Sequence, residues 1–307
     1  MSRWPKVGFN RCSAAAALLA LAVLSLPAAA GTLAFDGAAT QGGLVRGTTE
    51  PEARVTLDGR TVRVAPDGGF IIGFGRDAAP RAVLEIVHPD GSFEQRELAV
   101  AARGYDIQRI DNLPPSQVVP DPAALARIKR DAEAVRAVRR TDSDEAGHAG
   151  PLRWPATGPL SGVWGSQRIL NGEPRAPHYG VDVAAPAGTP VTAAAAGQVT
   201  LAQDLFLTGN TVVIDHGYGL STTYAHMETL AVQPGQRVAQ GQEIGKVGAT
   251  GRVTGPHLHW SAEWYEVRLD PALLAGPMPA AMATLTKAPA TAPPSAATAA
   301  PAVEVRP

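Results

Sequence analysis

Cysteine is almost missing from this chain of 307 residues: there is one, Cys12, near the start. The residues after it can form no disulfide with one another and offer no thiolate, so a metal site there must be built from histidine and carboxylate. A charge excess is missing too. The net charge is −1, whereas a nucleic-acid partner calls for a clear basic surplus to neutralise phosphates; no nucleic acid is expected as a main partner. No apolar run is long enough to cross a bilayer, because the stretch 12–26 falls short of the roughly 20 residues a spanning helix needs. A His-Glu-x-x-His pair is also absent, so the glutamate base that motif supplies to other zinc proteases is missing.

What the first thirty residues do contain is an address. Arg3, Lys6 and Arg11 precede the apolar run, and Ala28 and Ala30 fit a small-x-small cleavage pattern, so 1–30 reads as a cleaved signal peptide. Cys12 precedes the apolar run instead of following it, which argues against a lipoprotein. Cleavage leaves 24 Lys+Arg against 28 Asp+Glu, no cysteine and no transmembrane helix. The remainder is long enough for two modest domains, and 45% hydrophobic residues suit a globular chain.

Short β-forming runs alternate with turns from residue 44 to about 100. Asp58-Gly59 lies between two of them, and both positions tolerate positive φ, which predicts a hairpin. Pro66-Asp67-Gly68-Gly69 and Pro89-Asp90-Gly91-Ser92 punctuate further runs. Closely spaced strands without helices predict a small β-sandwich over 31–103. Val45-Arg46-Gly47-Thr48-Thr49-Glu50-Pro51, with the later Asp-Gly-Gly-Phe turn, resembles bacterial immunoglobulin-like modules. His88, beside a turn, reads as a solvated strand-end residue.

Residues 104–150 read as a linker. The proline-rich stretch 113–120 is a stiff connector, and Asp121 as N-cap with Pro122 at the first helical position opens an amphipathic basic helix over about 121–140. Leu125, Ile128, Ala132, Val135 and Val138 share one stripe, while Arg127, Lys129, Arg130, Arg136, Arg139 and Arg140 occupy the rest. Those cations suit either anionic envelope polymers or plain solvation of a helix packed on a neighbouring domain. Residues 142–150 read as mobile linker. A second β-rich domain follows over 151–275. The Ala/Pro/Thr tail 276–307 buries too little to offset its ordering entropy and is expected to be disordered.

Histidine carries the chemistry, with five of seven between positions 178 and 259. In His178-Tyr179-Gly180-Val181-Asp182 the spacing would suit a helix, but Gly180 and the following Ala184-Ala185-Pro186-Ala187-Gly188 oppose one. On an extended segment positions four apart share a face, so His178 and Asp182 converge. Imidazole and carboxylate suit Zn²⁺, and three protein ligands leave a fourth position for water. His257-Leu258-His259 puts two imidazoles on one strand face, delivered by the glycine-rich loop 248–256. Alone, His-x-His is as readily a polar strand face; beside His178 and Asp182 it points to a metal site. Tyr224-Ala225-His226 closes another strand, after the turn His216-Gly217-Tyr218-Gly219.

In this order and spacing the residues resemble the lysostaphin-type, LytM-domain zinc metallopeptidases of bacterial cell walls. The resemblance covers about 164–271 and includes Gly188-Thr189-Pro190-Val191, Gly197-Gln198-Val199 and the segment 234–241. It implies a mainly β protein with an antiparallel β-sheet peptidase domain. It also implies one zinc ion per chain, held by His178, Asp182 and His259, with His226 and His257 as unliganded catalytic histidines. His216 corresponds to a turn histidine with a structural role.

The activity implied is hydrolysis of peptide cross-links in peptidoglycan by metal-activated water. The stretch 248–260 and the domain order resemble Gram-negative members, which implies an exported, periplasmic D,D-endopeptidase acting on D-alanyl–diaminopimelate bonds. Cell-wall synthesis or division proteins are further expected partners. Arg168, Arg175, Asn210 and Tyr224 are candidate substrate contacts. Leu207-Thr208-Gly209-Asn210 departs from many relatives, which carry an aromatic residue before the glycine. Some family members have lost their ligands and activate cell-wall amidases; that alternative, or a wall-binding adaptor, is weakened by the presence of all five metal-site and catalytic positions.

Overall fold

The computed structural model describes Met1 and residues 33–37, 39–110 and 122–279; residues 2–30 of the expected signal peptide, the proline-rich connector with Asp121, and the tail from 280 lie outside these. The protein is mainly β. Strands β1 (Ala34–Asp36), β2 (Leu44–Thr48) and β5 (Gly69–Gly73) form one small antiparallel sheet, in the order β1-β2-β5. β3 (Arg54–Leu57), β4 (Arg60–Val62), β6 (Arg81–Val87) and β7 (Phe93–Ala99) form a second, in the order β4-β3-β6-β7. The hairpin at Asp58-Gly59 has φ of 48° and 77°, as a tight turn with both central residues left-handed requires.

Alternation along β6 turns Ala82, Leu84 and Ile86 inward, where they are buried together with Val55, Phe70 and Ile72. The same period of two carries His88 to the inner face. It is buried at 8% exposure, 3.5 Å from a Glu50 oxygen and 3.6 Å from a Glu94 oxygen, which corrects the expectation of a solvated histidine.

The connecting region is more structured than its sequence suggests. β8 (Ile107–Ile110) pairs in parallel with β10 (Gln167–Leu170), which also pairs with β11 (Glu173–Pro174). Helix α1 (Pro122–Arg139) follows. Its Ala134, Val135 and Val138 cover Leu201, Leu205 and Val213, whereas Leu125, expected on the buried stripe, is exposed at 46%. Residues 142–150 are tied down instead of trailing free. Arg63 bonds Asp142 and Asp144, Arg46 donates to the carbonyls of His148 and Gly150, and a short 3-10 turn, Ala146–Ala149, buries His148.

The remaining strands form a ten-stranded sheet. Its main path runs β17 (Arg237–Val238), β14 (Gly197–Leu205), β15 (Gly209–Asp215), β16 (Leu220–Leu230), β19 (His257–Trp264), β12 (Val181–Ala184) and β9 (Leu160–Gly162). β18 (Glu243–Val247) joins β16 to β13 (Pro190–Thr192), and β20 (Val267–Leu269) pairs with β19. Strand β16 is buried almost throughout, and β12 and β16 pair antiparallel with the two edges of β19. One hydrophobic core runs from the sandwich into this sheet. Asp270 caps helix α2 (Pro271–Ala275) by accepting the Ala272 N–H, and its carboxylate also meets Arg103 at 2.9 Å.

Candidate metal centre

Register brings the site together. Asp182 on β12 lies opposite His259 on β19, and His259 lies opposite Ala225 on β16. Leu258 faces the core at 0% exposure while His257 and His259 turn to the other side. His178 approaches from just ahead of β12. Its Nε2 is 3.1 Å from Asp182 Oδ1 and 3.1 Å from His259 Nδ1, and His259 Nδ1 is 2.8 Å from the same oxygen. Among the described residues, His178, Asp182 and His259 are the group able to hold a metal ion, with ligand atoms within 4.8 Å of one another. Three converging donors of this chemistry, in a pocket without thiols, fit zinc.

The surroundings fix each donor. His178 Nδ1–H donates to the Val163 carbonyl at 3.2 Å, which leaves Nε2 toward the site. Burial alone would raise the Asp182 carboxyl, but hydrogen bonds from His178 and His259 outweigh it and hold that group well below the usual carboxylate range. Burial likewise opposes the charged form of His178, and the Asp182 carboxylate overcomes it and raises the imidazole.

Two further imidazoles flank the donors. His226 and His257 have ring centres 4.8 Å apart, and His226 is 6.1 Å from His259. The pairing of β15 with β16 shifts register between Asn210 and Val212, and His226 has a left-handed φ of 65°. Simple alternation from buried Tyr224 would send His226 inward; the bulge re-aims it into the site. His226 N–H donates to the Thr208 carbonyl at 2.8 Å, and Nδ1–H donates to the Thr250 carbonyl at 2.9 Å. His257 Nδ1–H donates to the Gly255 carbonyl at 2.9 Å. Both rings therefore keep Nε2 as a free acceptor. Burial pushes the His226 imidazole down to about 4, so it is neutral at pH 7.

The expected substrate contacts fare unevenly. Arg168 is exposed on β10, donates to Gln108 Oε1 at 3.2 Å and acts on His178 through its charge. Arg175 is partly buried next to it, its N–H donating to the Arg168 carbonyl. Asn210 donates its side-chain amide to the Glu228 carbonyl at 3.1 Å, so it shapes the loop beside His226. Tyr224 is a correction. It lies at 0% exposure on the core face, its hydroxyl accepting the Ala194 N–H at 2.8 Å, and no substrate can reach it. His216 is also fully buried, bonded to the Ala196 carbonyl at 2.8 Å and to Thr222 Oγ1 at 2.7 Å.

Sequence reasoning passed over several supports. The backbone carbonyls of Val163 and Thr250 set two of the ring orientations, and Gly162 and Gly180 lie directly behind Asp182 and His259. Beyond His259 the same face of β19 carries Ser261 and Glu263. Glu263 is fully buried, with Arg139 of α1 at 2.9 Å and Arg268 at 2.7 Å.

Residues 176–271 match the profile of Peptidase family M23. A crystal structure from Pseudomonas aeruginosa, described as a peptidase M23, is 31% identical and aligns over 78% of this chain and 95% of that one, with a TM-score of 0.61. The chain belongs to peptidase family M23. Two curated relatives match shorter stretches. Peptidoglycan DD-endopeptidase ShyA of Vibrio cholerae is 49% identical over 85 residues, which is 28% of this chain and 20% of ShyA. DD-carboxypeptidase/endopeptidase Mpg of Neisseria meningitidis is 44% identical over 102 residues, 33% of this chain and 24% of Mpg. The matched stretch thus spans only about a fifth to a quarter of these curated relatives. The M23 match takes in all five side chains of the centre, while helix α1 lies outside it.

Proposed function

We propose that this M23 protein is a zinc-dependent endopeptidase that cuts peptide cross-links of peptidoglycan, at D-alanyl–diaminopimelate bonds, in the periplasm of a Gram-negative envelope. The observation carrying the reading is the convergence of His178 Nε2, Asp182 Oδ1 and His259 Nδ1, flanked by two imidazoles with free Nε2 atoms. The likeness to ShyA and Mpg, whose names give DD-endopeptidase activity, supports the choice of substrate. Among the described residues, no helix is long and apolar enough to cross a membrane.

His178, Asp182 and His259 would hold the zinc ion, which when bound supplies a Lewis acid and a water acidified to a pKa near 7. The chain's own residues supply the proton handling. His226 and His257 are anchored through Nδ1, so each offers Nε2 to accept a proton from the nucleophilic water and later return it to the leaving amine. In the protonated state either ring donates from Nε2 toward the oxyanion of the tetrahedral species. Fixed orientation of both rings by backbone carbonyls means this alignment is present before substrate arrives.

The experiment is zinc analysis together with release of muropeptides from purified sacculi, for the wild type and Asp182→Ala. The reading expects about one zinc per wild-type chain with release, and loss of both in the variant. A metal-free wild type that releases nothing would sink it.

A further inference from the structure

Two loops meet at His226 with no room between them. The connection between β14 and β15 and the glycine-rich loop after β18 touch backbone to backbone. A Cβ on Gly209 would lie 2.2 Å from Thr250 Oγ1, and one on Gly251 would lie 2.4 Å from the Gly209 nitrogen. Arg252 N–H closes the contact by donating to the Leu207 carbonyl at 2.9 Å. His226 is tied to both loops, its own N–H to Thr208 and its ring to Thr250. At the centre of this junction is the side chain of Thr250. Its hydroxyl accepts the Asn210 N–H at 2.9 Å and donates to the Met227 carbonyl at 2.8 Å. An amide N–H only donates and a carbonyl only accepts, so the direction of both bonds is fixed and the one hydroxyl proton is used. Asn210 on β15 and Met227 on β16 are the register partners beside which the shift occurs. From there to the next pair, Val212 with Tyr224, β15 has one intervening residue while β16 has two, Ala225 and His226.

We infer that the Thr250 hydroxyl is the wedge that holds this bulge open, which makes Thr250 the positioning residue for His226. The inference rests on the peptidase reading and deepens it by naming what aims one of the two proton-handling imidazoles. A hydroxyl bonded to an N–H of one strand and a carbonyl of the next keeps the strands spread where it stands, and the extra residue of β16 is accommodated beside it. The left-handed φ of His226, 65°, is strained for a residue other than glycine, so neighbouring structure must hold it. Thr250 does so twice. Its side chain pins Met227, the residue after His226, and its main-chain carbonyl takes the ring's Nδ1–H at 2.9 Å. With Nδ1 so occupied, the neutral imidazole keeps its proton there and presents Nε2 as the acceptor. Without the hydroxyl, Asn210 N–H and the Met227 carbonyl lose their shared partner and the loop is released from β16. The ring then loses both its aim and its tautomer. His178, Asp182 and His259 are held by the Val163 carbonyl and by the pairing of β12 with β19, so zinc content is independent of the wedge.

The test uses the full, zinc-loaded chain as wild type, as Thr250→Val, which keeps the branched shape without the hydroxyl, and as Thr250→Ser, which keeps the hydroxyl. Nitrogen NMR of isotope-labelled histidine reports which ring nitrogen of His226 carries the proton at about pH 8, where a free imidazole is neutral. Loss of the signal in His226→Gln assigns it. Wild type and Thr250→Ser are expected to carry the proton on Nδ1, and Thr250→Val to show a mixture of the Nδ1 and Nε2 forms. On a synthetic cross-link peptide, kcat of Thr250→Val is expected to fall about 100-fold with KM and zinc content little changed, the scale of a misplaced catalytic group. Thr250→Ser should restore most of that rate. A wild-type proton on Nε2, an unchanged tautomer in Thr250→Val, an equal loss of kcat in Thr250→Ser, or zinc lost together with activity would each overturn the inference. A threonine that serves stability alone would lower the melting temperature and leave the tautomer where it is, which also counts against the wedge. If Thr250→Val does not fold, Thr250→Ala is read in its place, and the wild-type tautomer stands by itself. Absence of zinc or of hydrolysis in the wild type would instead overturn the peptidase reading, while the tautomer comparison on the same samples still decides whether Thr250 aims the ring.

Discussion

A methyl group on Gly180 would sit 2.6 Å from Cε1 and 2.8 Å from Nε2 of His259, and 2.7 Å from the Trp260 carbonyl oxygen. The imidazole can turn away, but the carbonyl oxygen cannot, so both the His259 ring and the chain at Gly180 must shift. Gly180→Ala is therefore expected to displace His259 and lower zinc affinity, with activity, by about 10- to 100-fold, the usual penalty for disturbing a ligand's support. Zinc titration checks it, and a variant with wild-type affinity would rule out the backing role. The four-residue and two-residue spacings were legible because they follow from strand periodicity: 178 with 182 and 257 with 259 do share a face. The aim of His226 was not, since it depends on a bulge at which simple alternation fails, and Tyr224 was misread for the same reason.

His216 gives a second residue-scale prediction. Burial pushes its imidazole down from 6.5 to about 4, so the fold binds this side chain in the neutral form. Its contribution to stability is whole above pH 6.5 and declines as pH falls through the window from 6.5 to 4. The loss then levels off, at up to about 3 kcal/mol. Denaturant unfolding at pH 7, 5.5 and 4.5 measures the slope. His216→Asn should be less stable at pH 7 but flatter across the window; equal slopes would show that other groups carry the acid sensitivity. The histidine's burial is foreshadowed only by its turn, because what encloses it comes from elsewhere: Ala196 from the connection between β13 and β14, and Thr222 from strand β16.

At the scale of elements, the sandwich hairpin and the strands bearing the centre were readable from turn residues and alternation. The docking of helix α1 was half readable. Its stripe predicted a packed face, and Val135 and Val138 are packed. The choice of partner lay in Leu201, Leu205 and Val213, far along the chain. More decisive is a contact no periodicity could announce: the buried pair of Arg139 and Glu263. Burial holds the Arg139 guanidinium down to about 10, still fully charged at pH 7, so Arg139→Ala strands a buried carboxylate with only Arg268 and Ser261 for company. The expected loss is roughly 3 kcal/mol. Adding Glu263→Gln should recover part of it by removing the stranded charge. A double variant no more stable than the single one would assign the loss to helix packing instead.

For the whole molecule, composition indicated two β-rich parts but not their intimacy. Asp270 N–H donates to the Gly42 carbonyl, Arg76 donates to the Gly165 carbonyl, and β8 adds itself to β10. A Cβ on Gly73 of the sandwich would lie 2.9 Å from Leu269 and 3.1 Å from Trp264, so the two cores approach with no room for a side chain. None of these pairings has a local signature, which is why residues 104–150 looked like a plain linker. Yet the five side chains of the centre are carried by β12, β16, β19 and the residues just before β12, whose paired strands all belong to the large sheet. Removal of residues 31–150 is therefore expected to leave about one zinc per chain. It would also expose Leu201, Leu205 and Val213 and strip the contacts around Asp270 and Trp264. A loss of several kcal/mol follows, on the order of 10 °C in melting temperature for a domain of this size. Zinc content and thermal unfolding of the truncated chain separate the two effects. Metal lost at a temperature where the sheet remains folded would mean that the sandwich completes the centre and does not merely brace it.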